Sequence, residues 1–413
     1  MYKSYSYVVV MIKLGLIGKT NVGKTTFFNS ATLLNAEISS RAFATSKPNI
    51  GTAFIRTPCV CTEIGVKDNP QNSACKEGWR FAQLEIIDLP GLIEGAWTGK
   101  GLGNQFLNVA MQADGLLHVV DASGSIDKVG EIRKPGLGDP VRDVLDTEEE
   151  LVMWLVKIIR KNRRRIIRQV DIRHVRLNRA LHRILSGIKV SREQIIKSIE
   201  CVDSGKSFES WTDEDIKFFA KCLRKISKPT LIIANKMDLP RADENFEKLR
   251  EEFPDMLIVP CSAESELALR RAESRSLVSY IPGEEKFRVV NQDKLTGRQS
   301  AALDYVEDKV FSKWMRTGVQ FALDTAVFKL LHVNAVYPVD DLNNFSDKNG
   351  NVLPDVFLVK EGTTVHELAE QIHTDLAKTM IHAVDARTGL RLPKEYLVRD
   401  RDVIKVVAVA ERR

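Results

Sequence analysis

The chain has 413 residues, 44% of them hydrophobic and 28% charged, which excludes wholesale disorder and collagen-like structure. At roughly 150 residues per domain that length corresponds to two or three domains. No uncharged apolar run approaches about 18 residues, so no membrane-spanning helix is expected. Six irregularly spaced cysteines make no disulfide framework, which points to a reducing, cytoplasmic setting.

The net charge of +6 is unevenly placed. Residues 157–192 hold thirteen Lys and Arg against one acid, Asp171, so the rest of the chain is net acidic. Two readings stand side by side: a solvated helical face, or an arm turned toward the phosphates of a polyanion such as RNA.

Residues 1–10, Tyr-rich and ahead of a second methionine, are read as an N-terminal extension. Val8–Ile12 is short and followed by Lys13, which fits a buried strand better than a signal peptide. From Met11 the chain runs as strand (Ile12–Ile17), glycine-rich turn (Gly18–Lys24) and helix (Thr25–Leu34). Further apolar runs at Phe81–Ile87, Gly115–Val120 and Thr230–Ala234 end in polar or turn residues. Such runs, alternating with helices, predict an α/β fold: a mostly parallel sheet with helices on both faces. Residues 125–227 interrupt it as a helical insertion, opening with a loop around Pro135, Gly136, Gly138 and Pro140 and turning helical from about Glu148. The pattern then stays helical from Cys261 to about Leu330. Beyond it, Leu331–Tyr337, Val352–Val359 and Val403–Val409 read as strands around one helix, Thr364–Leu376. Thr364 and Glu367 form a capping box at its start, and Asn349-Gly350 marks a hairpin turn. The expected domains are therefore 11–124 with 228–285, the insertion 125–227, a connector 286–328, and a small α+β domain from 329 to 413.

Four motifs carry chemistry. Gly18-Lys19-Thr20-Asn21-Val22-Gly23-Lys24-Thr25 fits G-x-x-x-x-G-K-[ST], a loop whose backbone N–H groups cradle phosphates at a helix N-terminus. Lys24 would reach the β- and γ-phosphates and Thr25 would bind Mg²⁺, with Val22 and Thr26 completing the set around the phosphates. Asp88-Leu89-Pro90-Gly91 follows a buried strand, so Asp88 is placed toward the metal and the Gly91 N–H toward the γ-phosphate. Asn235-Lys236-Met237-Asp238 follows another. A carboxylate there accepts the ring N–H and exocyclic amine of guanine, a donor pair adenine lacks. A buried carboxylate left unpaired costs on the order of a few kcal/mol, about a hundredfold or more in affinity. Asn235 would tie this loop to the phosphate loop, the Lys236 stem would cover the base, and Cys261-Ser262-Ala263 would complete the base pocket through a backbone N–H.

This ordered set resembles a translation-factor-type GTPase. Asp88-Leu89-Pro90-Gly91-Leu92-Ile93-Glu94-Gly95-Ala96, followed by Gly101-Leu102-Gly103-Asn104-Gln105-Phe106, resembles the second switch of the Obg-related P-loop GTPases. Ala335-Val336-Tyr337-Pro338-Val339, Asn349 to Asp355 and Gln371-Ile372-His373-Thr374 are similar to the TGS domain of the YchF branch. The resemblance implies a β-grasp fold for residues 329–410, nucleotide hydrolysis and a role near the ribosome or ribosomal RNA. It also places Thr45, in Phe43-Ala44-Thr45, as the first-switch threonine that closes on Mg²⁺, with Thr52 as the alternative. Leu92 stands where Ras-like enzymes orient the attacking water with glutamine, so another group or an ion must act. Asn21 stands where potassium-activated relatives help bind K⁺. Many YchF-type proteins replace the last Asp of the guanine motif by Glu and prefer ATP, whereas Asp238 is present here and favours GTP.

The expectation is a slow, Mg²⁺-dependent, K⁺-stimulated GTPase, monomeric, acting as a switch on ribosome or RNA. An ATPase of the same fold, or a nucleotide-gated binding module with incidental hydrolysis, stays open. Cys59, Cys61 and Cys75 lie on a hairpin between the switches. Their spacing fits no standard zinc knuckle and a fourth ligand is missing nearby, so metal binding, redox sensitivity and a structural role all remain. His366-Glu367-Leu368-Ala369-Glu370 lacks the second histidine of a zinc-protease helix. His118 reads as a satisfied core histidine, and Phe218 and Phe219 as core.

Overall fold

The computed structural model of the chain describes residues 11–34, 48–91, 103–202 and 205–409, with backbone only for 103–106. They form two compact units, one joining Lys13–Gly51 to Ile86–Ala322 and the other joining Thr52–Glu85 to Leu323–Arg413. The extension 1–10, the switch residues Phe43, Ala44 and Thr45, and Leu92 lie outside the described residues.

In the first unit, β1 (Lys13–Ile17) is buried from Leu14 onward and leads through the phosphate-loop motif into α1 (Lys24–Thr32). β2 (Asn49–Pro58) starts in this unit and β4 (Trp79–Asp88) ends in it, the stretch between them, Thr52–Glu85 with α2 (Val60–Ile64) and β3 (Ala74–Lys76), belonging to the second unit; α3 (Gly103–Ala110) and β5 (Gly115–Asp121) follow. After the insertion come β6 (Thr230–Asn235), α8 (Ala242–Glu252), β7 (Ile258–Pro260) and α9 (Ala263–Ser274). β1, β5, β6 and β7 pair in parallel, with Ile17 beside His118 and His118 beside Ile232. The start of β2 and the end of β4 extend the order to β2-β4-β1-β5-β6-β7. β5 and β6 are buried along their whole length, as strands covered on both faces must be.

The expected insertion, between β5 and β6, contains α4 (Pro140–Ile167), α5 (Leu177–Leu185), α6 (Arg192–Cys201) and α7 (Asp213–Ser227), which cluster in one unit with the sheet. α4 starts eight residues before the Glu148 expected from the sequence. Asp139 caps it by accepting from the Arg142 N–H at 3.1 Å, and Pro140 at its first position has no N–H to lose. Capping boxes open α6 (Ser191 with Gln194) and α7 (Thr212 with Asp215). Trp154, Leu155 and Ile159 of α4 share a core with Leu181, Ile195, Phe219 and Leu223. Phe219 is fully buried while Phe218 is 51% exposed, correcting the reading of both as core. Neighbouring helical residues point about 100° apart, so only one of the two can face inward.

The stretch after Cys261 is not continuously helical. β8 (Val278–Ser279) and β9 (Arg288–Val289) form a short hairpin before α10 (Gly297–Val306), and α11 (Ser312–Trp314) ends at Met315 in a left-handed conformation (φ 64°). Gly318 follows at φ 91°, where a Cβ would sit 2.1 Å from the Pro260 carbonyl oxygen, and α12 (Val319–Asp324) resumes beyond it.

In the second unit, β10 (Val333–Pro338), β11 (Phe357–Lys360), β12 (Met380–Asp385), β13 (Arg391–Leu392) and β14 (Val403–Ala408) form a mixed sheet ordered β11-β10-β14-β12-β13. β10 and β14 are parallel; the other pairs are antiparallel. α13 (Val365–Ile372) begins at the expected Thr364–Glu367 capping box and ends four residues early, α14 (Thr374–Thr379) being a separate turn of helix capped by His373. Val365, Leu368 and Ala369 cover Val336, Val359 and Ile404.

His118 is buried, but neither ring nitrogen has a partner among the described residues, so it is not the satisfied histidine expected. Burial, with Arg224, Lys24 and Lys19 adding to it, lowers its pKa from 6.5 to about 3. The native ring stays neutral while the unfolded ring takes up a proton, so stability is lost as pH falls from 6.5 toward 3. His118→Leu is expected to raise unfolding free energy at pH 7 by about 1–3 kcal/mol, because two unpaired polar atoms disappear. It should also weaken the acid-side loss of stability; urea melts across pH 4–8 check both.

Candidate nucleotide site

The motif residues gather at the C-terminal ends of β1, β4, β5 and β6, the edge where open α/β sheets place ligands. Gly18 (φ 136°) and Gly23 (φ 100°) give the loop its shape. A Cβ on Gly18 would meet the Val119 carbonyl oxygen at 2.3 Å, and one on Gly23 would meet Asn235 Nδ2 at 2.2 Å. Lys24 is buried; its Nζ donates to the carbonyls of Gly18 (3.0 Å) and Lys19. Burial lowers the Lys24 pKa from 10.5 to about 8, partly offset by Asp88. Val22 and Thr26 are buried at the start of α1.

Asp88 closes β4 with no exposure. Its Oδ2 accepts from Thr25 Oγ1 at 2.7 Å and Asn49 Nδ2 at 3.3 Å, while Oδ1 has no partner among the described residues. Burial raises its pKa, against the pull of Lys24 and both hydrogen bonds. An orphaned buried carboxylate oxygen beside a threonine hydroxyl is a donor set for a hard divalent cation, so these residues fit Mg²⁺. Gly91 packs on the phosphate loop, where a Cβ would approach Thr20 N to 2.8 Å. Thr45 lies outside the described residues; Thr52, the alternative, is exposed in β2.

The base-side loop is fixed by Asn235. Its Nδ2 donates to the Val22 carbonyl (2.8 Å) and its Oδ1 accepts from the Ala263 N–H (3.1 Å). Lys236 sits at φ 65° with Nζ 3.0 Å from Asp121 Oδ2 and 3.2 Å from Ser125 Oγ. Asp238 Oδ1 accepts from Ser262 Oγ at 2.6 Å, and Tyr305 OH approaches Oδ2 at 3.2 Å and the Asp238 carbonyl at 3.1 Å. The expected base-directed amides are engaged inside the protein: Ser262 N–H donates to the Thr317 carbonyl and Ala263 N–H to Asn235. Asn21 (φ 61°) donates through Nδ2 to the Gly130 carbonyl at 2.8 Å, and Thr20 Oγ1 does so at 3.3 Å.

Sequence reasoning missed Asp121, Ser125 and Tyr305. Asp121 follows the apolar run of β5 as Asp88 follows that of β4, which is a usable signal. Tyr305 lies 67 residues from Asp238 on α10, and no spacing rule joins them.

A strand, a glycine loop with lysine and threonine, and two further strand-end motifs define a P-loop nucleotide-binding fold. Three family models match: "50S ribosome-binding GTPase" over residues 13–156, "Obg-like GTPase YGR210-like, G4 motif-containing domain" over 233–341, and "TGS domain" over 344–408. GTP-binding protein MJ1332 of Methanocaldococcus jannaschii is 43% identical, with 97% of this chain and all of the relative aligned. The ribosome-binding ATPase YchF of Bacillus subtilis is 30% identical over 64% of this chain and 69% of its own length. A GTP-binding protein structure from Pyrococcus horikoshii superposes with a TM-score of 0.77 at 32% identity, covering 96% of this chain and all of that one. The Schizosaccharomyces pombe YchF GTPase has the same fold (TM-score 0.55, 18% identity, 98% of this chain and all of that one). The chain belongs to the Obg-like, YchF-type family of P-loop GTPases with a C-terminal TGS domain.

A bound phosphate would restore the proton that burial loosens on Lys24, so affinity should be level below about pH 8 and fall above it. The slope is up to about tenfold per pH unit for one linked proton. GDP titrations between pH 7 and 9 check this against Lys24→Ala, whose weaker binding should lack that slope.

Proposed function

We propose that this chain hydrolyses GTP to GDP and phosphate in the cytoplasm and uses its nucleotide state as a switch on the ribosome or its RNA. The observation that carries the choice of base is Asp238, oriented by Ser262 and fixed through Asn235 to the phosphate loop. Each carboxylate oxygen keeps a free lone pair beside its hydroxyl partner, enough for the two donors of guanine. Thr25 and Asp88, joined by Thr45 of the first switch, would hold Mg²⁺, which supplies charge neutralisation on the β- and γ-phosphates. In this reading residues 11–124 and 228–285 are the nucleotide domain, 125–227 the arm, 286–328 a connector and 329–413 the TGS domain.

Water attacks the γ-phosphorus in line, its proton passing to the phosphate oxygens, as the bond to the β-phosphate oxygen breaks and GDP departs with the electron pair. Lys24 leaves the carbonyls of Gly18 and Lys19 and, with the loop amides and the Gly91 N–H, meets the developing negative charge. With leucine at 92, intrinsic turnover is slow and raised by a partner or by K⁺ at Asn21. K⁺ there would be met by the side-chain carbonyl oxygen of Asn21, whose Nδ2 donates to the Gly130 carbonyl.

The family also contains proteins named ATPases, among them the B. subtilis relative. The Tyr305 hydroxyl at Asp238 keeps that second reading in play, since it occupies part of the carboxylate that guanine must use. Asp238→Asn separates the readings. It should weaken GDP binding about a hundredfold and favour xanthosine diphosphate, because a buried donor–acceptor pair is mismatched. ADP bound better than GDP by the unaltered chain, with Asp238→Asn without effect, would establish the ATPase.

Ribosome binding is supported by the "50S ribosome-binding GTPase" model, by the name of the B. subtilis relative and by the arm. Arg163 is committed to the carbonyls of Trp211 and Glu209, and Arg160 to Asp213. Arg164, Arg165, Arg168, Arg173 and Arg176 are exposed. Replacing Arg164, Arg165 and Arg168 by Ala should weaken RNA or ribosome binding and flatten the slope of log affinity against log salt by about 0.9 per lost phosphate contact. An unchanged slope in filter-binding titrations would return the arm to a solvated face.

A further inference from the structure

The hairpin between β2 and β4 brings together four metal-ligating side chains that the phosphate site does not use. Cys59 precedes α2 and Cys61 lies in its first turn. β3 carries Cys75, paired with Arg80 of β4. The turn between β3 and β4 tucks under α2: the Cys59 N–H donates to the Gly78 carbonyl at 2.8 Å, and a Cβ on Gly78 would meet Thr62 at 2.9 Å. The loop after α2, which ends on the left-handed Gly65 (φ 74°), returns Asp68 to the same point.

The three sulfurs and an Asp68 carboxylate oxygen all lie within 4.8 Å of one another. Cys61 Sγ and Cys75 Sγ are 3.8 Å apart, and Cys59 Sγ is 3.3 Å from Asp68 Oδ2. A tetrahedral ion with Zn–S bonds of about 2.3 Å sets its sulfurs about 3.8 Å apart. Asp68 supplies the fourth donor that sequence spacing did not disclose. Arg80, fully buried, holds that carboxylate through Nη2 at 3.0 Å while its guanidinium also bonds Ser73 Oγ and the Leu353 carbonyl. A fixed cation behind a ligand orients it and offsets part of the negative charge of three thiolates and a carboxylate.

We propose that Cys59, Cys61, Cys75 and Asp68 form a structural Zn²⁺ site. Soft thiolates select zinc over the hard cation at the phosphate loop, and four protein donors leave no open position for substrate or water. The ion fixes the loop that follows Asp68, and this loop runs along the C-terminal part of the same unit. Asn69 N–H donates to the Val352 carbonyl (2.8 Å), Gln71 N–H to that of Pro354 (2.7 Å), and Asn72 exchanges hydrogen bonds with Val356 at 3.1 and 3.0 Å. Zinc thereby staples the hairpin to the segment Val352–Val356 that leads into β11.

The test is elemental analysis of the full-length protein purified from zinc-supplemented medium, followed by exchange with Co²⁺. The expected result is one zinc per chain, with cobalt giving thiolate charge-transfer absorption and the intense visible bands of a tetrahedral site. Cys75→Ser should lose the ion, Cys201→Ser on the exposed face of α6 should keep it, and Asp68→Ala should weaken retention at least about tenfold. A chain without zinc, weak octahedral cobalt bands, equal zinc in Cys75→Ser, or a Cys61–Cys75 disulfide would each overturn the proposal. The cobalt spectrum of the unaltered protein decides the matter even if the cysteine variants fail to fold.

Discussion

One buried amide holds the nucleotide site together. Asn235 closes β6, donates to the phosphate loop at Val22 and accepts from the first N–H of α9. Its Nδ2 fills the space a Cβ at position 23 would need, so the loop passes only because Gly23 is bare. Breaking such a contact costs more than a surface hydrogen bond, because a stranded buried partner loses about 1–3 kcal/mol. The base-side and phosphate-side halves are thus positioned by one side chain before any ligand arrives.

Around this clamp the molecule keeps charge out of water. Lys24 and Asp88 are buried beside each other, and Lys236 is tied to a buried Asp121 whose oxygens also accept from Ser123 and Ser125. Desolvation works against folding, and it appears as the loosened proton on Lys24 and the raised pKa of Asp88. The same low-dielectric setting would strengthen their action on a triphosphate if charge develops there. His118, between Ile17 and Ile232 in register, belongs to this desolvated region.

Much of the site was legible because its residues sit at the ends of strands that announce themselves as apolar runs. The phosphate loop, Asp88, Asn235 and Asp238 share that property, and local spacing alone places them. What stayed hidden depends on the chain returning from a distance. Tyr305 reaches Asp238 from α10, and Asp68 reaches the cysteines across a loop whose length matches no knuckle. β12 and β13 were missed because their alternation is broken by His382, Asp385 and the turn at Gly389. The expected strand from Val352 shrank to Phe357–Lys360, its first residues being spent on the loop carrying Asn69 and Gln71. α4 starts at Pro140, inside the stretch whose glycines and prolines read as loop, because a proline at a first helical position is an initiator.

The claim that base loop and phosphate loop are one unit is tested most directly by calorimetric titration of Asn235→Ala with inorganic pyrophosphate and with GDP. The account predicts that both lose affinity by a similar factor, about tenfold or more, because the amide shapes the phosphate loop without touching phosphate. Pyrophosphate binding left intact while GDP binding collapses would contradict it, and would make Asn235 a contact to the base alone.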